Sequence, residues 1–161
     1  MMNILVVVED NRGSMHRMSK EAIAGAQKIG GNITALVIGA NTDAIADQLS
    51  SIALENTLVV KHELVSSYNS DGYTEVVKQV IQSINPSIII IGHTYQTRDF
   101  MPRVSARLDI PFIPDIIGLE QDAYTKQVLN SKLNSSVSSL SDMKILSFQS
   151  ACFSAEDILT G

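Results

Sequence analysis

The stretch SIIIIGHTYQTRDFMPRVSARL, residues 87–108, decides the fold class of this 161-residue chain. Its four consecutive β-branched residues, Ile88–Ile91, predict a strand that is covered on both faces, as the strands of parallel sheets are. Gly92 ends the strand, and a polar loop then leads into a helix predicted over about Asp99–Leu108. Such a change from buried strand to polar rim is typical of the carboxyl edge of a parallel sheet, where ligands and partners gather.

Strand and helix patterns alternate on both sides of that stretch. Short apolar runs predict further strands at Asn3–Glu9, Asn32–Gly39, Thr57–Glu63, Phe112–Ile117, Ala123–Leu129 and Lys144–Gln149. Helical periodicity predicts helices from about Ser19 to Gly30, from Thr42, and from Tyr73 to Ile84. Regular alternation implies right-handed crossovers and a parallel sheet with helices on both faces. The predicted class is α/β: one three-layer α/β/α domain over residues 1–161, with a mostly parallel sheet and extra strands at the carboxyl end.

A serine-rich segment separates the last two predicted strands. By spacing alone, its apolar residues fit one helical stripe: Leu129, Leu133, Val137 and Leu140. The serines between them are indifferent helix formers, because their hydroxyls compete for backbone hydrogen bonds. We therefore predict extended pieces and a turn here.

Composition limits the classes of partner. The net charge of −5 argues against nucleic acid, because phosphate binding depends on clustered Lys and Arg. Cys152 is the single cysteine, which excludes an internal disulfide and fits a reducing compartment. The apolar run Ile4–Val8 is too short for a signal peptide or a membrane span. These features predict a cytoplasmic protein without membrane insertion.

The familiar sequence motifs of enzymes are absent. The chain has no GxGxxG, no GxxxxGK[ST] and no nucleophile elbow. His16, His62 and His93 form no pair at zinc-ligand spacing, so we assign no metal ligand. We predict no catalytic residue; acid–base chemistry by Asp10, His16 and His93, gathered at one rim, ranks last among the alternatives.

The loop after the isoleucine strand holds the candidate binding residues: Gly92, His93, Thr94, Arg98 and Asp99. Backbone N–H groups at the start of the predicted Asp99 helix would attract an anion, and Arg98 would reinforce them. Gly92 permits a close backbone approach. An adenine nucleotide is thus physically possible, although the loop lacks the several glycines that wrap a triphosphate. The alternative is that Asp99 complements its own helix end.

Three segments together resemble a known family: NILVVVE (residues 3–9), KEAIAGAQKIGGNITALVIG (20–39) and GHTYQTRDFMPRVSARLDIPFIPDI (92–116). They are similar to the amino-terminal domain of the electron transfer flavoprotein alpha subunit. That family has a Gly/Thr-Arg/Lys-Asp segment, a Pro-Arg-Val-Ala-Ala-Arg-Leu run and a hydrophobic strand closing on Asp. The matching residues here are 97–99, 102–108 and 114–116. The similarity weakens after Ala123, and Gln149 stands where the family has arginine.

The resemblance implies an adenine-nucleotide-hydrolase-like (Rossmann-like) fold and a role in electron transport. In this family FAD is held mainly by a second, carboxyl-terminal domain with help from the beta subunit, so this chain alone is not expected to hold it. The beta subunit, which holds AMP in many members, is the expected heterodimer partner. Through this complex, electrons would pass from dehydrogenases to a downstream acceptor.

The resemblance also implies a role for two arginines of the stretch 87–108, Arg103 and Arg107. Pro102 is placed in the first turn of its helix, where its missing N–H costs nothing. Arg103 and Arg107, one helical turn apart, are then expected to project toward an acidic or carbonyl-rich partner surface; without a partner they would form a solvated face. The alternative function is a stand-alone adenine-nucleotide-binding module related to universal stress proteins.

Overall fold

The computed structural model describes residues 1–121 and 123–161. Its strands are β1 (Asn3–Val8), β2 (Asp10–Asn11), β3 (Ser14–Met15), β4 (Asn32–Ile38), β5 (Asn56–Val60), β6 (Ile88–Gly92), β7 (Phe112–Leu119), β8 (Tyr124–Val128), β9 (Leu133–Val137) and β10 (Lys144–Phe148). Its helices are α1 (Arg17–Ile29), α2 (Thr42–Leu49), α3 (Ser70–Ile84) and α4 (Tyr95–Leu108), with 3₁₀ turns at Glu63–Val65 and Ala155–Asp157.

The main sheet has the strand order β5-β4-β1-β6-β10-β7-β8-β9. The pairs from β5 to β7 are all parallel, whereas β8 and β9 continue the sheet antiparallel. This arrangement confirms the predicted α/β class with a mostly parallel sheet and extra carboxyl-terminal strands. The last strand, β10, lies between β6 and β7, where Leu146 is opposite Ile90 on one side and Ile113 on the other.

The isoleucine strand β6 is buried on both faces, as its sequence predicts. Ile88 and Ile90 belong to the core beneath α1 and α2, whereas Ile89 and Ile91 belong to the core beneath α3 and α4. None of the four is more than 5% exposed. Full burial of such a side chain contributes about 1.5–3 kcal/mol, so alternation along a central strand stabilises both helix layers.

The helix after β6 begins one turn earlier than predicted. Thr94 is the N-cap of α4, and its Oγ1 accepts a hydrogen bond from the Thr97 N–H at 3.3 Å. The predicted start at Asp99 is wrong, because Thr94 is an effective N-cap residue and allows the helix to begin at Tyr95. Pro102 therefore lies inside α4 and not in its first turn. Its missing N–H leaves the carbonyl of Arg98 without the regular helical partner.

Two other predicted boundaries are also wrong, again because a side chain caps a helix. His16 accepts from the Met18 N–H, so α1 begins at Arg17 and not near Ser19. His62 accepts from the Leu64 N–H and starts a 3₁₀ turn, so β5 ends at Val60.

The serine-rich segment is extended, as predicted. Residues 133–137 form β9, which pairs antiparallel with β8 along five positions from Tyr124–Val137 to Val128–Leu133. The turn between the strands holds Leu129, Asn130 and Ser131 at positive φ. The serine hydroxyls compete for backbone hydrogen bonds and so disfavour a helix, which is consistent with the strand that forms here.

The carboxyl-terminal segment 151–161 packs against α1. Phe153 stacks edge-on against Phe148, with ring centroids 4.8 Å apart. A Cβ on Gly25 would lie 2.6 Å from the Phe153 ring, so a glycine is needed for this approach. Burial raises the pKa of the half-buried Cys152 thiol to about 11, which keeps the thiol protonated at neutral pH.

Candidate functional site

The carboxyl ends of β1, β6 and β10 meet at one edge of the sheet, beside the amino-terminal ends of α1 and α4. Here a cleft of about 670 Å³ opens to solvent. We call it the rim cleft, and its lining residues are Glu9, His16, Met18, His93, Thr94, Tyr95, Gln96, Arg98, Asp115, Gln149 and Ser150. Its volume lies in the range of small-molecule sites.

The base of the rim cleft is fixed by buried hydrogen bonds around Gly92. Thr97 donates its hydroxyl to the Gly92 carbonyl at 2.6 Å, and Thr97 is fully buried. A Cβ on Gly92 would lie 2.7 Å from the Met18 Cβ and 3.1 Å from the Met18 backbone carbon. Gly92 is therefore required for the close approach of β6 to α1. The sequence predicted that Gly92 permits a close approach, but to a ligand; in the structure the neighbour is α1.

A carboxylate occupies the amino-terminal end of α4. The Thr94 hydroxyl donates to Glu9 Oε2 at 2.6 Å, and the backbone of Glu9 is held by His16 N–H at 2.9 Å and by Ser19 Oγ at 2.9 Å. Negative charge is favoured at a helix amino terminus. Glu9 thus supplies from within the chain the negative charge that an external anion would otherwise bring.

His93 is held by a serine that is completely buried. Its Nδ1 lies 2.8 Å from Ser147 Oγ, and the same Oγ accepts the Asp115 N–H at 3.1 Å. The Ser147 hydroxyl can donate to an unprotonated Nδ1, because the Asp115 N–H occupies only one of its lone pairs; in that tautomer neutral His93 carries its proton on Nε2. That Nε2 lies 4.0 Å from Asp115 Oδ1.

The environment of His93 favours the neutral ring. Burial lowers its pKa most; the charges of Arg98 and Lys126 lower it further, whereas Asp115 acts in the opposite direction. Asp115 itself has φ 62°, a left-handed conformation that Asp and Asn tolerate better than most residues. At neutral pH the rim cleft therefore presents an imidazole N–H donor close to a carboxylate.

Three of the predicted candidates line the rim cleft: His93, Thr94 and Arg98. Arg98 lies over the exposed ring of Tyr95, with 5.8 Å from Cζ to the ring centroid. Asp99 does not join them. Its carboxylate accepts from the Tyr68 hydroxyl at 2.6 Å on the α3 side of the helix, because α4 begins four residues earlier than the sequence predicted.

The loop Asp10–Met18 contributes only partly to the cleft. His16 lines it, but Asp10 accepts from the Gly13 N–H at 2.6 Å and from Asn41 Nδ2 at 2.8 Å. Asp10, His16 and His93 are therefore not gathered as an acid–base group. Sequence reasoning missed Glu9, Asp115 and Gln149. Each immediately follows or interrupts an apolar strand, and that position was the available signal.

The two arginines of α4 form ion pairs with α3. Arg103 lies 3.2 Å from Asp71, and Arg107 lies 3.6 Å from Glu75. Their side chains are 48% and 45% exposed. Within this chain they bind acidic residues of the neighbouring helix, so the expected acidic partner surface has an intramolecular counterpart.

Two further findings concern the described residues as a whole. They include no group of three or more His, Cys, Asp or Glu side chains placed to hold a metal ion. None of the helices found in residues 1–121 and 123–161 has the length and apolar character needed to cross a membrane.

Residues 4–161 match the family described as the electron transfer flavoprotein domain. The chain belongs to this family. Electron transfer flavoproteins are FAD-dependent electron carriers and not enzymes, and the resemblance seen in the sequence is confirmed.

Curated relatives include alpha subunits of electron transfer flavoproteins. The subunit from Clostridium acetobutylicum is 29% identical over 133 residues, which cover 80% of this chain and 40% of the relative. The subunit from Bacillus subtilis is 32% identical over 116 residues, covering 71% and 36%. A Caenorhabditis elegans protein, described as a probable mitochondrial alpha subunit, is 26% identical over 151 residues, covering 92% and 46%. The chain thus spans less than half of each of these relatives and corresponds to their amino-terminal part.

Proposed function

We propose that this chain forms the amino-terminal domain of an electron transfer flavoprotein alpha subunit, and that this domain acts as a scaffold without holding the flavin. It pairs with a beta subunit and supports FAD-dependent transfer of electrons from dehydrogenases to a downstream acceptor. FAD is held mainly outside residues 1–161, and AMP, where present, is held by the partner. The observation that carries this proposal is the Glu9 carboxylate bound to Thr94 at the start of α4.

The rim cleft is poorly suited to FAD or to a nucleotide. Both ligands carry phosphate groups, which bind where backbone N–H groups and positive charge converge. Here Glu9 is placed at the amino-terminal end of α4, and Asp115 adds a second carboxylate to the lining. Electrostatic repulsion would oppose a phosphate at this position. We derive no electron-transfer step through residues of this chain.

The arginines of α4 remain the proposed contact with the beta subunit. Their ion pairs with Asp71 and Glu75 are exposed, and such pairs contribute roughly 0–1 kcal/mol. Exchange of these intramolecular partners for carboxylates on another subunit would therefore cost little. The planar guanidinium is also favoured at protein interfaces.

Gel filtration of the chain with the cognate beta subunit tests the pairing. Wild-type chain is expected to co-elute with the beta subunit, and the Arg103→Ala, Arg107→Ala double variant is expected to co-elute less. The matched control is Lys61→Ala, which removes an equally exposed ion pair with Asp43 elsewhere on the surface. Equal co-elution of the double variant would refute the arginine role, and absence of any complex would refute the pairing.

A thermal-shift series with FAD, AMP and ATP separates this proposal from the alternative of a stand-alone nucleotide-binding module. A ligand at a hundred times its dissociation constant stabilises the protein by about 2.7 kcal/mol. We expect no such response. A clear shift with AMP or ATP would favour the alternative, and flavin retained by the purified chain would overturn the scaffold role.

The cytoplasmic location stays a prediction. The relative from Caenorhabditis elegans is described as mitochondrial, so the domain occurs in proteins of more than one compartment. Fractionation of cells that express the natural gene, with immunodetection of the chain, would decide the matter.

A further inference from the structure

Within the rim cleft, the side chains of His93 and Asp115 face each other across a gap that no direct hydrogen bond closes. His93 Nε2 and Asp115 Oδ1 are 4.0 Å apart, which is too long for a direct hydrogen bond. Hydrogen bonds of about 2.7–2.9 Å on each side allow one hydroxyl to span this distance. It would accept from the Nε2–H and donate to the carboxylate.

The donor ring and the backbone of the acceptor residue are both anchored on one buried side chain. Ser147, which is 0% exposed, orients the imidazole through Nδ1 and is itself oriented by the Asp115 backbone N–H. The ring of His93 and the backbone of Asp115 are therefore positioned by the same serine before any ligand arrives. Preorganisation of this kind reduces the entropic cost of binding.

The remaining lining groups suit further hydroxyls better than a phosphate. Glu9 uses Oε2 for Thr94, and no hydrogen bond within the described residues reaches its Oε1, which remains an acceptor. Carboxylates commonly accept hydroxyls of a ribose ring. Arg98 is the cation of the lining, and it is exposed at the mouth against Tyr95.

We infer that the rim cleft binds a neutral, polyhydroxylated ring, either a free sugar or the ribose of a nucleoside, and that it discriminates against the phosphorylated form of the same molecule. This inference goes beyond the scaffold role and does not depend on it. Tyr95, which lines the cleft and is 88% exposed, offers a ring face for a nucleoside base.

Two matched pairs of probes test this inference on the purified 161-residue chain. They are adenosine with AMP, and D-ribose with D-ribose 5-phosphate; each pair differs only by a phosphate. Binding is followed by the NMR resonances of the His93 imidazole during titration. We expect saturable shifts with at least one neutral probe and binding of its phosphate ester weaker by about tenfold or more, because the phosphate is repelled by the carboxylates of Glu9 and Asp115.

The variant Asp115→Asn provides the matched test of the carboxylate. Asparagine has almost the same volume and also tolerates the left-handed backbone at this position. We expect it to weaken binding of the neutral probe by about tenfold or more. Asp99→Asn, which changes a carboxylate outside the cleft, is expected to leave binding unchanged.

The outcomes distinguish the two ligand sources. Binding of adenosine that is lost in Tyr95→Ala supports a nucleoside, whereas binding of ribose that is retained in Tyr95→Ala supports a free sugar. Failure of both neutral probes, equal or tighter binding of the phosphorylated probes, or unchanged binding in Asp115→Asn would each overturn the inference. None of these results bears on co-elution with the beta subunit, which tests the scaffold proposal; tight binding of AMP would in addition favour the stand-alone nucleotide-binding module.

Discussion

Helix α4 carries polar residues both on its inner side, which faces the sheet, and on its outer side, which faces α3 and solvent. The two sides differ in how deeply these residues are buried. On the inner side, Thr97 is fully buried and bonds the carbonyl at the end of β6, one turn before the buried ring of Phe100. On the outer side, Arg103 and Arg107 form ion pairs that are about half exposed. A buried hydrogen bond that loses one partner leaves a desolvated group, whereas an exposed pair is replaced by water. Burial, and not the number of charges, therefore decides which polar residues hold the site.

Phe100→Ala is expected to give the largest effect. Phe100 is 1% exposed and packs edge-on against Tyr73, with centroids 5.8 Å apart. Its truncation is expected to lower the free energy of unfolding by about 3–5 kcal/mol, measured by urea denaturation. Phe100→Leu, which keeps most of the volume, should lose clearly less. A loss below about 1 kcal/mol in Phe100→Ala would show that the inner side of α4 is not closely packed.

Thr97→Val should have the next largest effect, because it keeps the shape but removes the donor to the Gly92 carbonyl. We expect a loss of about 1–3 kcal/mol in the same denaturation experiment. The control is Thr97→Ser, which retains the hydroxyl and should stay closer to the wild type. If Val and Ser cost the same, the methyl contacts and not the hydrogen bond hold the base of the cleft.

Arg103→Ala should change stability little, which is the opposite extreme of the comparison. The ion pair with Asp71 is exposed on both sides, so we expect a loss of about 0.2–1 kcal/mol that decreases further at high salt. Urea denaturation at low and high ionic strength measures it. A loss above about 2 kcal/mol, independent of salt, would contradict the assignment of the outer side as a solvated surface.

The pH dependence contributed by His93 should be the smallest and most local effect. Burial lowers its pKa in the folded chain below the ordinary value, so the unfolded state binds this proton more readily. The associated stability is present above the unfolded-state pKa of about 6.5 and is lost as pH falls toward the folded-state pKa.

His93→Gln should remove this component of the pH dependence. The measurement is the free energy of unfolding between neutral and mildly acidic pH, together with NMR titration of the ring in the wild type. A measured His93 pKa at or above the ordinary histidine value of about 6.5 would show that burial does not control the ring.

The elements that the sequence predicted are those determined by local patterns. The isoleucine run, the apolar segment Asn3–Glu9 and the periodicity of Tyr73–Ile84 each indicate their structure without knowledge of neighbours. Boundaries were less accurate, because His16, His62 and Thr94 act as caps through single hydrogen bonds that periodicity does not register. For the same reason Pro102 was predicted about one turn too near the start of its helix.

By itself, the sequence determined the α/β class, the two-sided burial of β6 and the polar rim that follows it, because each depends on residues adjacent in the chain. Only the tertiary structure decided that β10 enters the sheet between β6 and β7. That placement brings Ser147 against His93, and the neighbouring β7 brings Asp115 to the same point. These residues are separated by tens of positions, and an apolar run specifies that a strand forms but not which strands will flank it.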